Sequence, residues 1–274
     1  MNLTTPTDLL DVARRAAAAG AAVLAERPTA RVETDTKSAA GDWVTDFDRR
    51  AEQAVRGVIV AERPHDEITG EEYGTTTPAE PSGYSWSIDP LDGTTNFVRG
   101  ILYYATSVAV SGPDAGAPGG RDWLAGVVYA PALARVYWAS RGQGAWLSST
   151  GAGGAAGEPQ RLAGPVPDAE GALIATGFGY DAGRRSRQVS ALNDLLPGFA
   201  NVRRLGSAAL DLCLVADGTL DAYAEYGTQV HDWAAAALIA EEAGVPVLRP
   251  TTEPGWSAAG YFDFGRLVDL ETPA

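Results

Sequence analysis

Two carboxylates three residues apart, placed at the end of an apolar run, constrain this chain more than any other feature. Residues 84–88 read as a strand leaving a core, and Asp89-Pro90-Leu91-Asp92-Gly93-Thr94-Thr95-Asn96-Phe97 follows at once. Two anions held this close raise each other's pKa unless a cation lies between them, so the economical reading is a divalent metal site. Pro90 fixes its own φ and keeps Asp89 extended, and Gly93 permits a tight turn. Thr94 and Thr95 offer hydroxyls and backbone N–H groups to an anion. The stretch is suited to holding a metal and a phosphate side by side.

Three plainer readings compete. Most Asp-Gly pairs after a strand are polar turns. A calcium-binding EF-hand needs glycine at the sixth loop position and glutamate at the twelfth, and counting from Asp89 finds Thr94 and Gly100 there. A D-x-D-G-T phosphatase signature with an aspartyl nucleophile holds its carboxylates one residue closer. Asp217-Gly218-Thr219 fails the same test, because Val215 occupies the nucleophile's place. Taken alone, the stretch leaves the turn and the metal site open.

The rest of the chain narrows the choice. Its 274 residues are 45% hydrophobic, enough for a large core. The net charge of −14 argues against nucleic acid or an anionic membrane as partner, while an anionic substrate fits if metal supplies positive charge locally. The single cysteine, Cys213, excludes an internal disulfide and suits a reducing compartment. The polar first ten residues do not read as a signal peptide, and no apolar run approaches a membrane span, so a cytoplasmic protein is expected.

Leu9, Leu10, Ala13, Ala16, Ala17 and Ala21 recur at helical spacing and predict a helix over residues 7–26. Residues 37–45 read as a polar loop. Phe47, Ala51, Ala54, Val55, Val58 and Ile59 predict a second amphipathic helix, at whose start Asp46 and Asp48 read first as caps. Glu71 and Glu72 sit between Gly70 and Gly74, where a solvated loop is the plain reading. Residues 103–111, 124–130 and 135–139 predict a meander of strands interrupted by the turn-rich residues 113–120. Residues 148–157, nearly all Gly, Ala, Ser and Thr, read as a linker between an N-terminal half, 1–150, and a C-terminal half, 158–274. Beyond it, strands at 172–176 and 220–225 alternate with helices at 184–196, after Gly206, and at 232–243, the last stopped by Gly244.

Glu71, Asp89, Asp92 and Asp232 each fall at the edge of a predicted element, where a fold can aim them at one point. With them run ordered blocks: Lys37-Ser38 with Asp42, Val44-Thr45 and Asp48; Gly70-Glu71-Glu72; the Asp89 to Phe97 stretch; Gly206-Ser207-Ala208-Ala209-Leu210-Asp211-Leu212; and Asp232 with Ala234-Ala235 before Glu242-Ala243-Gly244. Together these resemble the inositol monophosphatase family of magnesium-dependent, lithium-sensitive phosphatases, and Thr176-Gly177-Phe178-Gly179 resembles its bacterial members.

The resemblance implies a layered α-β-α-β-α sandwich, a homodimer, and two to three Mg²⁺ per subunit. Glu71, Asp89, the Leu91 carbonyl, Asp92 and Asp232 would hold metal. Asp48, Thr94 and Glu71 would be catalytic, with Asp48 and Thr94 orienting the attacking water. Asp92, Gly93, Thr94, Ala208, Glu225 and Asp232 would contact substrate, Glu225 through its ring hydroxyls. The family usually has Trp before the position of Asp232, whereas here His231 precedes it and Trp233 follows, which reads as a swapped packing residue. The implied activity is hydrolysis of a phosphate monoester, myo-inositol 1-phosphate first. Histidinol phosphate is the rival, and a non-catalytic metal-binding or interaction protein the alternative of another class. Fructose 1,6-bisphosphate and adenosine 3′,5′-bisphosphate fit less well, because only Arg184, Arg185 and Arg187 offer a basic clamp.

Overall fold

Thr5 opens helix α1 (Pro6–Ala25) with a capping box, its hydroxyl accepting from the Asp8 N–H while the Asp8 carboxylate accepts from the Thr5 N–H. The stripe α1 buries contains Leu9, Ala13, Ala16, Ala17 and Ala21, as their spacing predicts. The computed structural model describes residues 5–29, 32–37, 43–113, 121–149, 157–167 and 169–269. Ser38 and Asp42 of the first motif block lie outside these. The expected polar loop carries a short hairpin at its ends, β1 (Asp35–Thr36) with β2 (Trp43–Val44), and leads into α2 (Asp46–Glu62).

A sheet follows, built from β3 (Glu67–Gly70), β4 (Gly74–Thr76), β5 (Ser85–Asp92), β6 (Ala105–Pro113), β7 (Arg121–Ala130), β8 (Arg135–Ser140), β9 (Ala145–Ser149) and β10 (Gln160–Arg161), with α3 (Thr94–Arg99) after β5. Its order is β10-β9-β8-β7-β6-β5-β3-β4, and only the β3–β5 pair is parallel. The meander is present as β6 to β8. Glu71 and Glu72 stand in the turn of the β3–β4 hairpin rather than in an unstructured loop. Residues 114–120 of the turn-rich stretch and 150–156 of the expected linker lie outside the described residues. At the linker's ends, Ser148 and Ser149 belong to β9, and the Gly157 N–H donates to the Ser149 carbonyl at 2.9 Å.

Beyond it come β11 (Leu173–Ala175), α4 (Ala182–Leu195), β12 (Asn201–Arg203), α5 (Ala208–Ala216), β13 (Ala222–Tyr226), α6 (Val230–Glu242), β14 (Val247–Leu248), β15 (Trp256–Gly260) and α7 (Gly265–Asp269). A five-stranded sheet results, of order β12-β11-β13-β15-β14. The sequence reading contains neither β12, β14 and β15 nor α7. No helix among the described residues is long and apolar enough to cross a membrane.

The layers follow from alternation along the strands. Trp86, Ile88, Val108, Val110 and Val127 point to one face of the large sheet, against α1 and α2. Ala105, Ala109, Val128 and Tyr137 point to the other, against α5 and α6, whose far side meets Ala175, Tyr223 and Ala259 of the small sheet. Ile174, Ala222, Ala224 and Ala258 face outward onto Ala191 and Leu195 of α4 and Leu267 of α7. This is the expected α-β-α-β-α sandwich.

Small residues let α6 lie close on β7: a Cβ added to Gly126 would stand 2.8 Å from both the Cα and the carbonyl oxygen of Ala235. Backbone cannot yield there as a flexible side chain can. Gly126→Ala is therefore expected to cost about 1–3 kcal/mol, the usual penalty of overpacking. An unchanged melting temperature would show that the helix can move away freely.

Candidate functional site

Strand β5 does not stop at Ile88 as the sequence suggested; it runs on through Pro90 to Asp92. In a regular strand, residues three apart point to opposite faces. Here pairing slips between Asp89↔Ser107 and Asp92↔Ala105, so β5 advances three residues while β6 advances two. The extra residue of this bulge brings both carboxylates into one cleft. Pro90, lacking an N–H, is tolerated at such an irregularity, and its carbonyl accepts from the Thr106 hydroxyl at 3.0 Å. Gly93 ends the strand at φ 93°, and a Cβ there would come within 3.0 Å of the Tyr103 carbonyl. The turn therefore needs glycine both for its φ and for space.

Other elements aim further groups into the same cleft. Asp48 is indeed a cap, since its Oδ2 accepts from the Thr45 N–H at 2.7 Å and the Thr45 hydroxyl at 2.6 Å. Its other oxygen, Oδ1, accepts from the Thr94 hydroxyl at 3.0 Å. That hydroxyl is also 3.0 Å from the Leu91 carbonyl, and its single proton can serve only one of the two at a time. Glu71 accepts from Lys37 Nζ at 2.8 Å, and Lys37, the only lysine of the chain, also pairs with Glu72. Asp92 is gripped by the start of α5, where Ser207 Oγ donates at 2.6 Å and the Ala209 N–H at 2.7 Å. Asp232 sits in the first turn of α6 and accepts from the Gln229 N–H at 2.6 Å.

The electrostatics are those of crowded, buried carboxylates faced by the single ammonium of Lys37. Burial, then Glu71, Asp92 and Asp232, push the Asp89 carboxyl well above the usual range. Burial and Asp232 raise Asp92 to about 7, and burial raises Asp232 against the pull of His231. Desolvation also raises Asp48, opposed by its bonds from Thr45. Burial alone would lower Lys37, yet Glu71 and Glu72 outweigh it and hold its ammonium firmly charged. A cation among the carboxylates would relieve the mutual repulsion of Asp89, Asp92 and Asp232 at once. Glu71, Asp89 and His231 already bring one ligand atom each within 4.8 Å of one another. The carboxylate oxygens of Glu71, Asp89, Asp92 and Asp232 are hard donors that suit Mg²⁺.

Glu71, Asp89, Leu91, Asp92, Gly93, Thr94, Ala208, Glu225 and Asp232 all line this cleft of about 520 Å³, and Asp48 reaches it through Thr94. Glu225 is half-buried at the end of β13, takes a bond from the Tyr223 hydroxyl at 3.1 Å, and is raised to about 7 by burial and then Asp232. Gly177 makes room for it, since a Cβ there would fall 2.1 Å from the Glu225 carboxylate. Of the three arginines that could have formed a basic clamp, only Arg184 lines the cleft, together with Arg204, which the sequence reading passed over. Arg185 bonds instead to the carbonyls of Gly179 and Tyr180, and Arg187 stacks on Tyr226.

The His231 and Trp233 exchange also needs correcting. Trp233 packs edge-on to Trp123, centroids 6.0 Å apart, in the core between the sheets, while His231 lines the cleft. Two residues along a helix lie about 200° apart, so neither can do the other's work. Sequence reasoning missed Glu52 as well. Fully buried, it accepts from the Glu72 N–H at 2.7 Å and Arg56 Nε at 2.7 Å and so fixes the turn that carries Glu71. Its signal was the Glu52–Arg56 spacing of one helical turn on a buried face.

Comparison with known proteins agrees with this geometry. The profile of the Inositol monophosphatase family matches residues 5–267. The chain is 43% identical over 224 residues to inositol-1-monophosphatase SuhB of Mycobacterium tuberculosis, covering 80% of this chain and 72% of that protein. It is 37% identical over 239 residues to a protein of Pasteurella multocida named Nus factor SuhB, covering 86% and 83%. The solved structure of Mycobacterium tuberculosis SuhB superposes with a TM-score of 0.76 at 38% identity, covering 98% of this chain and 97% of that one. A family match along nearly the whole chain, on the same fold, means that this protein belongs to the inositol monophosphatase family.

Proposed function

We propose that the protein hydrolyses a small phosphate monoester, myo-inositol 1-phosphate first, and that it does so in the cytoplasm as a homodimer. The observation that carries this reading is the meeting of the Asp48–Thr94 pair with Glu71, Asp89, Asp92 and Asp232 in a cleft that Glu225 also lines. Glu71, Asp89, the Leu91 carbonyl, Asp92 and Asp232 would hold two to three Mg²⁺. Bound Mg²⁺ would supply positive charge for the phosphate and leaving oxygen and lower the pKa of water. The backbone of Gly93 and Thr94 would face the phosphate. Asp48, through the Thr94 hydroxyl, would orient the attacking water and take up its proton. The two halves proposed for the chain would both contribute, 1–150 with Glu71, Asp89 and Asp92, and 158–274 with Ala208, Glu225 and Asp232.

Phosphate release in Mg²⁺ should vanish in excess chelator and return when Mg²⁺ is restored. Ca²⁺ should inhibit, because it accepts looser geometry and would not hold water and phosphate in line. Full activity in chelator would contradict the metal assignment. The same assay addresses a second reading, a non-catalytic interaction protein, which the name of the Pasteurella multocida relative favours.

Glu225 bears on substrate choice. Glu225→Gln should lower kcat/KM for myo-inositol 1-phosphate by ~1.5–3 kcal/mol, one charge-assisted hydrogen bond. Glycerol 2-phosphate should lose less, and histidinol phosphate more, since its ammonium would seek the carboxylate. Equal losses on all three would assign Glu225 to the fold rather than to recognition. Wild-type preference for histidinol phosphate would overturn the leading substrate.

A further inference from the structure

We propose that His231 is itself a protein ligand of the cation held by Glu71 and Asp89, giving a mixed nitrogen and oxygen donor set that takes Mn²⁺ or Zn²⁺ more tightly than Mg²⁺. The inference deepens the reading of the cleft as a cation site and rests on it. Three separate elements deliver the donors: Glu71 from the β3–β4 turn, Asp89 from the β5 bulge, and His231 from the second residue of α6. One ligand atom from each lies within 4.8 Å of the other two, a span that a single ion can bridge. Side chains of a first helical turn lean toward the helix N-terminus, so the imidazole projects past the end of α6 into the cleft. The side chain is only 11% exposed, and its Nε2 is 3.4 Å from Asp232 Oδ1, so the ring sits among carboxylates rather than in the apolar core. Trp233, on the opposite side of the helix, carries the packing role.

Imidazole changes what the site prefers. Mg²⁺ favours an octahedral shell of oxygens, whereas imidazole suits Zn²⁺ and other transition ions, whose affinities rise from Mn²⁺ toward Cu²⁺. Imidazole nitrogen and carboxylate oxygen are both donors that such ions accept, alone or together.

Calorimetric titration of the metal-free, full-length protein with Mn²⁺ and with Mg²⁺ tests this. Mn²⁺ should bind at least about tenfold more tightly than Mg²⁺. In His231→Phe, which keeps an aromatic ring but no donor, Mn²⁺ affinity should fall by about tenfold or more while Mg²⁺ affinity changes less than about threefold. Pulsed EPR of the Mn²⁺-loaded wild-type protein should show coupling to an imidazole nitrogen that shifts on nitrogen-15 histidine labelling. The chain has two histidines, and the other, His65, is exposed beyond the end of α2. The wild-type spectrum decides the matter even if the variant fails to fold. Saturable Mn²⁺ binding without nitrogen coupling would overturn the role of His231 and leave the cation site standing. Failure of the wild-type protein to bind either ion would overturn both.

Discussion

Asp89→Asn is expected to abolish phosphate release while leaving the protein folded. Asp89 is buried on β5, and Glu71, Asp92 and Asp232 all raise its carboxyl. Asparagine keeps the shape and can still accept the Leu91 N–H, which now reaches Oδ1 at 3.0 Å. It cannot supply the negative charge that holds a cation. A rate loss beyond about a hundredfold, ~2.7 kcal/mol in barrier terms, is expected. Retention of more than about a hundredth of the wild-type rate would sink the metal assignment.

The same variant has a stability signature with a definite sign. The Asp89 carboxyl is raised well above its ordinary value in the folded, cation-free protein, chiefly by burial. The folded state then binds more protons than the unfolded one. Its stability is complete below the unfolded pKa near 4 and is lost as pH rises through the raised folded value. Asparagine does not ionise and escapes that loss. Without Mg²⁺ at pH 7, Asp89→Asn should melt at or above wild type, with the difference closing in acid. With Mg²⁺ present, the order should reverse, because only the wild-type protein gains binding free energy. Thermal melts at two pH values, with and without Mg²⁺, check both signs.

Asp48→Asn should be nearly as damaging to catalysis but leave cation binding intact. Its oxygens accept from Thr45 on one side and from Thr94 on the other. An amide can keep the cap through its oxygen, yet its NH₂ would then face Thr94 and donate where a carboxylate accepts. Thr94 would turn its proton toward the Leu91 carbonyl, and water would lose its acceptor. A fall in kcat of about 10²–10⁴, typical of removing a general base, is expected. The rise in melting temperature caused by Mg²⁺ should persist, which separates this variant from Asp89→Asn. A kcat within about fivefold of wild type would remove Asp48 from the reaction.

Much of the architecture was legible because its causes are local. Helical spacing marked α1 and α2, alanine richness marked α6, and the Gly244 stop, at φ 88°, lies where the sequence placed it. The carboxylates could be named because their motif blocks, in order along the chain, resemble those of the family. β12, β14 and β15 escaped notice because short strands of two to five residues owe their pairing to neighbours far along the chain.

The sequence by itself determined which residues could carry charge into a site and which segments would form the covering helices, since periodicity and turn chemistry act over a few residues. Only the tertiary structure decided how those residues meet. The slip against β6 turned Asp89 and Asp92 to one face, a matter of register with a strand more than ten residues away. The packing of α6 between two sheets sent Trp233 inward and His231 into the cleft. Glu225 reaches the carboxylates because Gly177, on another part of the chain, leaves space at its oxygens. Each of these outcomes depends on close packing between distant segments, where a single added carbon is felt, and that information is not held in any local stretch of residues.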